Sequence, residues 1–171
     1  GKGTINSDNP SLSIRTIPSN HQPLRIILDS HLRVKSDSKL LQQSNVIVMY
    51  GADKNSNLKN LKNTKAEFIK MPLLDNKISL AEVMAYLNEL QINELWVEAG
   101  PNLNGELLKL KLLDELITYT APYIMGGRAN SMFNAPILED MKDKIKISIL
   151  DCRNVGEDIR IQAMVNKDDV D

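Results

Sequence analysis

The run Leu95-Trp96-Val97-Glu98-Ala99-Gly100-Pro101-Asn102-Leu103-Asn104-Gly105 constrains this chain more than any other. An apolar, strand-forming stretch ends in a carboxylate, and a glycine turn leads straight into a helix-forming segment. A strand that feeds a helix with almost no loop belongs to α/β architecture. Free amides at the helix start, together with the helix dipole, attract an anion. Gly100 and Gly105 carry no side chain that would block a ligand's approach. In open α/β sheets, ligands sit beyond the carboxyl ends of the strands. Glu98 would lie beside such a ligand, where a carboxylate can hold ribose hydroxyls or amine protons. The glycine spacing is neither a P-loop nor a full dinucleotide fingerprint. A plain strand–turn–helix with no ligand is the competing reading.

The rest of the chain agrees with α/β. Residues 1–23 are rich in Gly, Asn, Ser and Pro and read as loop, with Leu12-Ser13-Ile14-Arg15 as a candidate short strand. Leu24-Arg25-Ile26-Ile27-Leu28, ended by Asp29-Ser30, reads as a buried strand, and Val46-Ile47-Val48-Met49-Tyr50 before Gly51 repeats the pattern. Asp37 to Leu41 is a short connector between them. The stretch Asp53 to Lys65 is a solvated loop or a poor helix. Ala66 to Lys70 is a third, shorter strand.

Ser79-Leu80-Ala81-Glu82 is a capping box, followed by an apolar stripe at Leu80, Val83, Met84, Leu87 and Leu90. Ile92 to Val97 is predicted as a strand and Leu103 to Leu112 as a second amphipathic helix. Leu116 to Ala121 is another strand, stopped by Pro122. Lys144 to Ile149 and Ile159 to Ala163 alternate polar and apolar residues, and residues 151–158 form a turn between them. That is an antiparallel pair with one wet face.

Composition narrows the function. With 42% hydrophobic and 25% charged residues and a net charge of −1, nothing suggests bulk attraction to nucleic acid or to an anionic membrane. A single cysteine, Cys152, excludes a disulfide within the chain and argues against a cysteine-based zinc site. His21 and His31 have no spacing partner, so no metal site is expected. The start, Gly1-Lys2-Gly3-Thr4, is not a signal peptide, and a cytoplasmic protein is the default expectation. The loop from Gly3 to Arg15 can hydrogen-bond a ligand through small polar residues, and Arg15 can pair with a phosphate. An Asp-Asn-Pro turn explains the same loop without a ligand. Ser30, at a strand end, has the same two readings.

Together these pieces resemble the reductase domain of the bifunctional riboflavin-biosynthesis deaminase/reductase family. The resemblance runs through Gly3-Thr4, Asp8-Asn9-Pro10-Ser11-Leu12-Ser13-Ile14-Arg15, Leu24 to Ser30 with Leu32-Arg33-Val34, and Trp96 to Pro101. Leu112 to Leu116 and Ala121 to Gly127 continue it. It implies a dihydrofolate-reductase-like three-layer α/β/α fold, with a mostly parallel sheet and antiparallel C-terminal edge strands, in one reductase domain over 1–171. It implies NADPH as hydride donor and 5-amino-6-(5-phosphoribosylamino)uracil as substrate, reduced to the ribitylamino compound, in a homodimer. Positions matching the family's cofactor contacts are Thr4, Asp8, Ser30, Gly100, Pro101, Asn102, Leu103, Asn104, Gly105 and Glu106. Those matching its substrate contacts are Leu12, Arg15 and Glu98.

On this reading the proton donor is Glu98 or an ordered water. Two departures stand out. The resemblance places a strand, loop and helical segment before the Gly-Thr motif, where the sequence given begins, and an inactive chain is then one of the expectations. Asn102 and Asn104 stand where the family often has small residues. The zinc deaminase signature cannot be built from one cysteine. Alternatives are the related 2,5-diamino-6-ribosylamino-pyrimidinone 5'-phosphate reductase, and an inactive ligand-binding or dimerisation module of the same fold.

Overall fold

The structure, a computed structural model, describes residues 2–15, 17–19, 21–52, 57–127, 129–134 and 140–166. Gly1 and the first part of the 53–65 stretch, residues 53–56, lie outside these described residues. The chain divides into two compact units, residues 1–99 and 100–171.

The first unit is built on a parallel sheet. Strands β1 (Arg25–Leu28), β2 (Val46–Tyr50) and β3 (Glu67–Lys70) lie in that order, with Ile26 opposite Ile47 and Val48 opposite Phe68. Residues Val46 to Met49 of the central strand are all buried, as expected for a parallel strand covered on both faces. Alternate residues reach opposite faces. Val46 and Val48 join Ile5, Ile27, Leu32, Val34, Leu40, Leu41 and Leu61 in one core. Ile47 and Met49 join Met71, Ile78, Val83 and Leu87 in the other. Helices α1 (Lys2–Asp8) and α2 (Asn57–Leu61) supply Ile5 and Leu61 to the first core, and α3 (Leu80–Glu89) supplies Val83 and Leu87 to the second. This unit therefore has three layers.

Helix α1 departs from the loop expected over residues 1–23, and no strand forms at 12–15. Gly3 and Asn6 are poor helix formers. Burial of Ile5 and a bond from the Asn6 side-chain Nδ2 to the Arg33 carbonyl (3.4 Å) outweigh that preference. The Asn/Lys-rich stretch resolves partly as α2.

Two short strands, β4 (Leu73–Leu74) and β5 (Lys77–Ile78), form a hairpin absent from the sequence reading. Its two turn residues, Asp75 and Asn76, both have positive φ (49° and 61°). That is a type I′ geometry, which Asp and Asn tolerate. Half of the capping box forms: the Ser79 side chain accepts from the Glu82 backbone amide at 3.4 Å, while the Ser79 amide donates to the Pro72 carbonyl at 3.0 Å and not to the Glu82 side chain. Helix α3 closes with Gln91 in the left-handed region (φ 57°). The Gln91 amide donates to the Asn88 carbonyl and the Ile92 amide to the Leu87 carbonyl, as in a Schellman motif.

The strand expected at Ile92 to Val97 is not present. Among the described residues, no ladder includes this segment. A strand exists only through its neighbours' hydrogen bonds, so apolar composition alone does not make one. Trp96 is 69% exposed, not buried.

The second unit holds α4 (Pro101–Lys109) and an antiparallel sheet of β6 (Glu115–Thr120), β7 (Ile147–Val155) and β8 (Asp158–Val165), in the order β6-β8-β7. Strand β7 runs on to Val155, so the turn expected over 151–158 shrinks to Gly156 and Glu157. Gly156 has φ 62°, at the first turn position, where glycine is favoured in such hairpins. A register shift between Ile149 and Asp151 bulges β7. Helix α4 ends as α3 does: Lys111 is left-handed (φ 54°), and the Leu112 amide reaches the Leu107 carbonyl at 2.9 Å.

Candidate active site

In the first unit, the carboxyl ends of β1 and β2 meet around Ser30. Its carbonyl accepts from the amides of Gly51 (3.2 Å) and Ala52 (2.9 Å), just past β2. Its hydroxyl oxygen accepts from the Ile78 amide at 3.2 Å, so the β4–β5 hairpin is tied to the same point. The Ser30 hydroxyl keeps its own proton to donate to a ligand.

Asp29, next to it, is 1% exposed, and its carboxylate accepts from the Val34 amide at 2.7 Å. The Leu32 amide donates to the Asp29 carbonyl, and Leu32 sits at φ 48°. Asp29 thus closes the 29–34 loop on itself. In the sequence Asp29 stands out only as the end of an apolar run, and its place within the Asp29-Ser30 motif is the available signal.

Helix α1 lies against this loop through Ile5, which shares a core with Ile27 and Leu32. It carries Thr4, half-buried, and Asp8, exposed at its last position. Beyond it, the Asn9 side chain accepts from the Lys39 amide at 2.9 Å. Leu12 packs against the same core with φ 47°, a conformation that costs a non-glycine residue about 1–3 kcal/mol and clusters at functional sites. Arg15 is exposed, with no side-chain partner among the described residues. Ile5 of α1 and Leu12 thus pack on one face of the parallel sheet, Thr4 and Asp8 belong to that same helix, and Ser30 stands at the carboxyl end of β1. Glu98 is also exposed, and no bond among the described residues ties it to any of them.

The other half of the predicted motif lies in the second unit. Gly100 is the N-cap of α4, with extended backbone (φ −81°, ψ 173°) and no side chain to cap the helix. Pro101 follows at the first helical position, where its missing N–H costs nothing. The amides of Asn102 and Leu103 have no acceptor among the described residues. A Cβ built on Gly100 would meet nothing within 4 Å. The turn is thus an open, amide-lined start to a nine-residue helix, suited to a phosphate oxygen.

At Gly105 a Cβ would lie 2.3 Å from the Asn134 carbonyl oxygen, so the protein's own backbone fills the space where a side chain would stand. The Asn134 amide donates to the Pro101 carbonyl (2.9 Å), and its side-chain amide donates to the Asn102 side-chain oxygen (2.8 Å). The Asn104 side chain donates to the Met132 carbonyl at 3.1 Å. Nothing local in the sequence pointed to Asn134.

Both units have counterparts of known fold. The chain is 28% identical to the structure of RibD from Acinetobacter baumannii, with a TM-score of 0.77, over 96% of this chain and 45% of that one. The fold is accordingly of the dihydrofolate-reductase-like α/β class. Residues 1–161 match the RibD C-terminal domain, and the chain belongs to that family.

Among curated relatives, the riboflavin biosynthesis protein RibD of Haemophilus influenzae is 32% identical over 170 residues. That alignment takes in 92% of this chain but 44% of that protein, so the chain spans less than half of its relative's length. A protein of Buchnera aphidicola from Acyrthosiphon pisum, named 5-amino-6-(5-phosphoribosylamino)uracil reductase, is 30% identical over 92% of this chain and 81% of its own length.

Proposed function

We propose that this chain is the reductase domain of riboflavin biosynthesis, one domain that uses NADPH to reduce 5-amino-6-(5-phosphoribosylamino)uracil to its ribitylamino product. The observation that carries the proposal is the open, amide-lined start of α4 in a chain that matches the RibD C-terminal domain over residues 1–161. The activity in the Buchnera relative's name supports the choice of substrate.

The residues fit a nicotinamide dinucleotide at the level of donors and space. The amides of Asn102 and Leu103 would hold a phosphate, and the open side of Gly100 would admit it. Thr4 and Asp8 would contact the cofactor with Ser30, whose hydroxyl proton is available. When bound, NADPH would supply a hydride to C1′ of the substrate's sugar.

The protein's own work is to orient and to exclude water. The free guanidinium of Arg15 would grip the substrate phosphate as a fork. Leu12, held in its strained conformation, would pack on the substrate. Glu98 would hold a sugar hydroxyl or the pyrimidine amine and deliver the proton that accompanies the hydride.

A cytoplasmic homodimer fits the same reading. Ile147, Ile149 and Ile159 share one face of the antiparallel sheet and are exposed, which suits burial by a second copy. No helix among the described residues is long and apolar enough to cross a membrane.

The test is NADPH consumption by the purified protein, given 5-amino-6-(5-phosphoribosylamino)uracil and the 2,5-diamino pyrimidinone in separate reactions. Turnover of the first alone supports the proposal. Turnover of the second alone assigns the related reductase, and turnover of neither refutes both.

A further inference from the structure

We propose that Asn134 and Asn102 form a clasp that sets the position of the α4 turn, making Asn134 a positioning residue for cofactor binding. The inference rests on the reductase reading of that turn. Four observations converge on residues 131–134. The Asn134 backbone amide donates to the Pro101 carbonyl at 2.9 Å. The Asn134 side-chain amide donates to the Asn102 side-chain oxygen at 2.8 Å. The Asn104 side chain donates to the Met132 carbonyl at 3.1 Å. Gly105 lets the Asn134 carbonyl approach to within a distance that no Cβ would allow. Ser131 stiffens the segment by donating from its hydroxyl to the Phe133 carbonyl at 3.0 Å.

The clasp grips the first helical turn without using the groups a phosphate needs. It engages one carbonyl and two side chains, and leaves the amides of Asn102 and Leu103 pointing to no acceptor among the described residues. An uncapped helix start frays because its amides lack partners. A strap fastened to its side chains and carbonyl holds the amides in place before the ligand arrives. That is preorganisation, which raises affinity by lowering the ordering cost of binding. It also explains the two asparagines of this chain at 102 and 104. Their side chains face the strap, and the cofactor would meet residue 102 through its backbone.

The experiment compares the intact protein with Asn134→Ala, Asn102→Ala and the double variant. Both side chains are exposed, so the substitutions leave the cores untouched. Each single variant is expected to raise the KM for NADPH roughly three- to tenfold, the scale of one lost hydrogen bond. The KM for the pyrimidine stays constant, whereas a general loosening would move both. The double variant should be no worse than the weaker single, because the pair is one interaction. Amide hydrogen exchange over residues 102–106 of the cofactor-free protein should quicken in each variant.

An unchanged NADPH KM, or single effects that add, would overturn the clasp while leaving the reductase reading intact. Wild-type protein that binds no NADPH would overturn the reading, and the clasp's role with it.

Discussion

Replacing Gly105 by alanine sets two known effects against each other. In an exposed helix interior, Gly→Ala gains about 1 kcal/mol from propensity. Here the new Cβ would lie 2.3 Å from the Asn134 carbonyl oxygen and 2.7 Å from its carbon. Non-bonded atoms settle at roughly 3.5 Å, so the strap must retreat by about 1 Å. That retreat stretches the Asn134–Pro101 bond (2.9 Å) and the Asn134–Asn102 bond (2.8 Å) out of hydrogen-bond range. Each is worth about 1 kcal/mol, and the clash adds strain of about 1 kcal/mol or more. The expected net is a destabilisation of about 2 kcal/mol or more. For a chain of this size, each kcal/mol lowers Tm by about 2–4 °C. Urea unfolding followed by far-ultraviolet circular dichroism measures it, with a thermal scan alongside. A Gly105→Ala protein as stable as the parent, or more stable, would refute the packing argument.

Other substitutions have calculable outcomes. Gly100→Ala should cost under about 1 kcal/mol as an N-cap change, yet weaken NADPH binding in a calorimetric titration, because its Cβ enters the open side of the turn. Ser79→Ala removes the cap of α3 and should cost about 1 kcal/mol in urea unfolding. Asp29→Ala leaves the buried Val34 amide without its carboxylate and should cost about 2–3 kcal/mol; a variant as stable as the parent would show that the 29–34 loop does not depend on this bond. Gln91→Gly relieves a left-handed glutamine at the end of α3 and should stabilise by about 0.5–1 kcal/mol, read as a raised urea midpoint.

Much of the fold is legible from local signals. The continuous apolar run at 46–50 marks a strand covered on both faces, and β2 is that strand. Ser79 and Glu82 mark the start of α3 to the residue. Alternation at 144–149 and 159–163 foretells the β7–β8 pair.

What escapes is decided at a distance. Residues 92–97 have strand composition, but pairing partners lie outside any local pattern. Helix α1 is written in poor helix formers and stands on the burial of Ile5. The reason for Gly105 is a carbonyl almost thirty residues further along the chain. The candidate site residues are legible as types and spacings. Their hydrogen bonds are not: Ser30 is tied to three amides, and Asn102 to a strap.

A crystal grown with NADPH tests the central claim most directly. The account predicts a phosphate oxygen of the cofactor within hydrogen-bond distance of the backbone amides of Asn102 and Leu103, with the Asn134–Asn102 bond intact. Cofactor bound elsewhere, with those two amides facing only solvent, would contradict it.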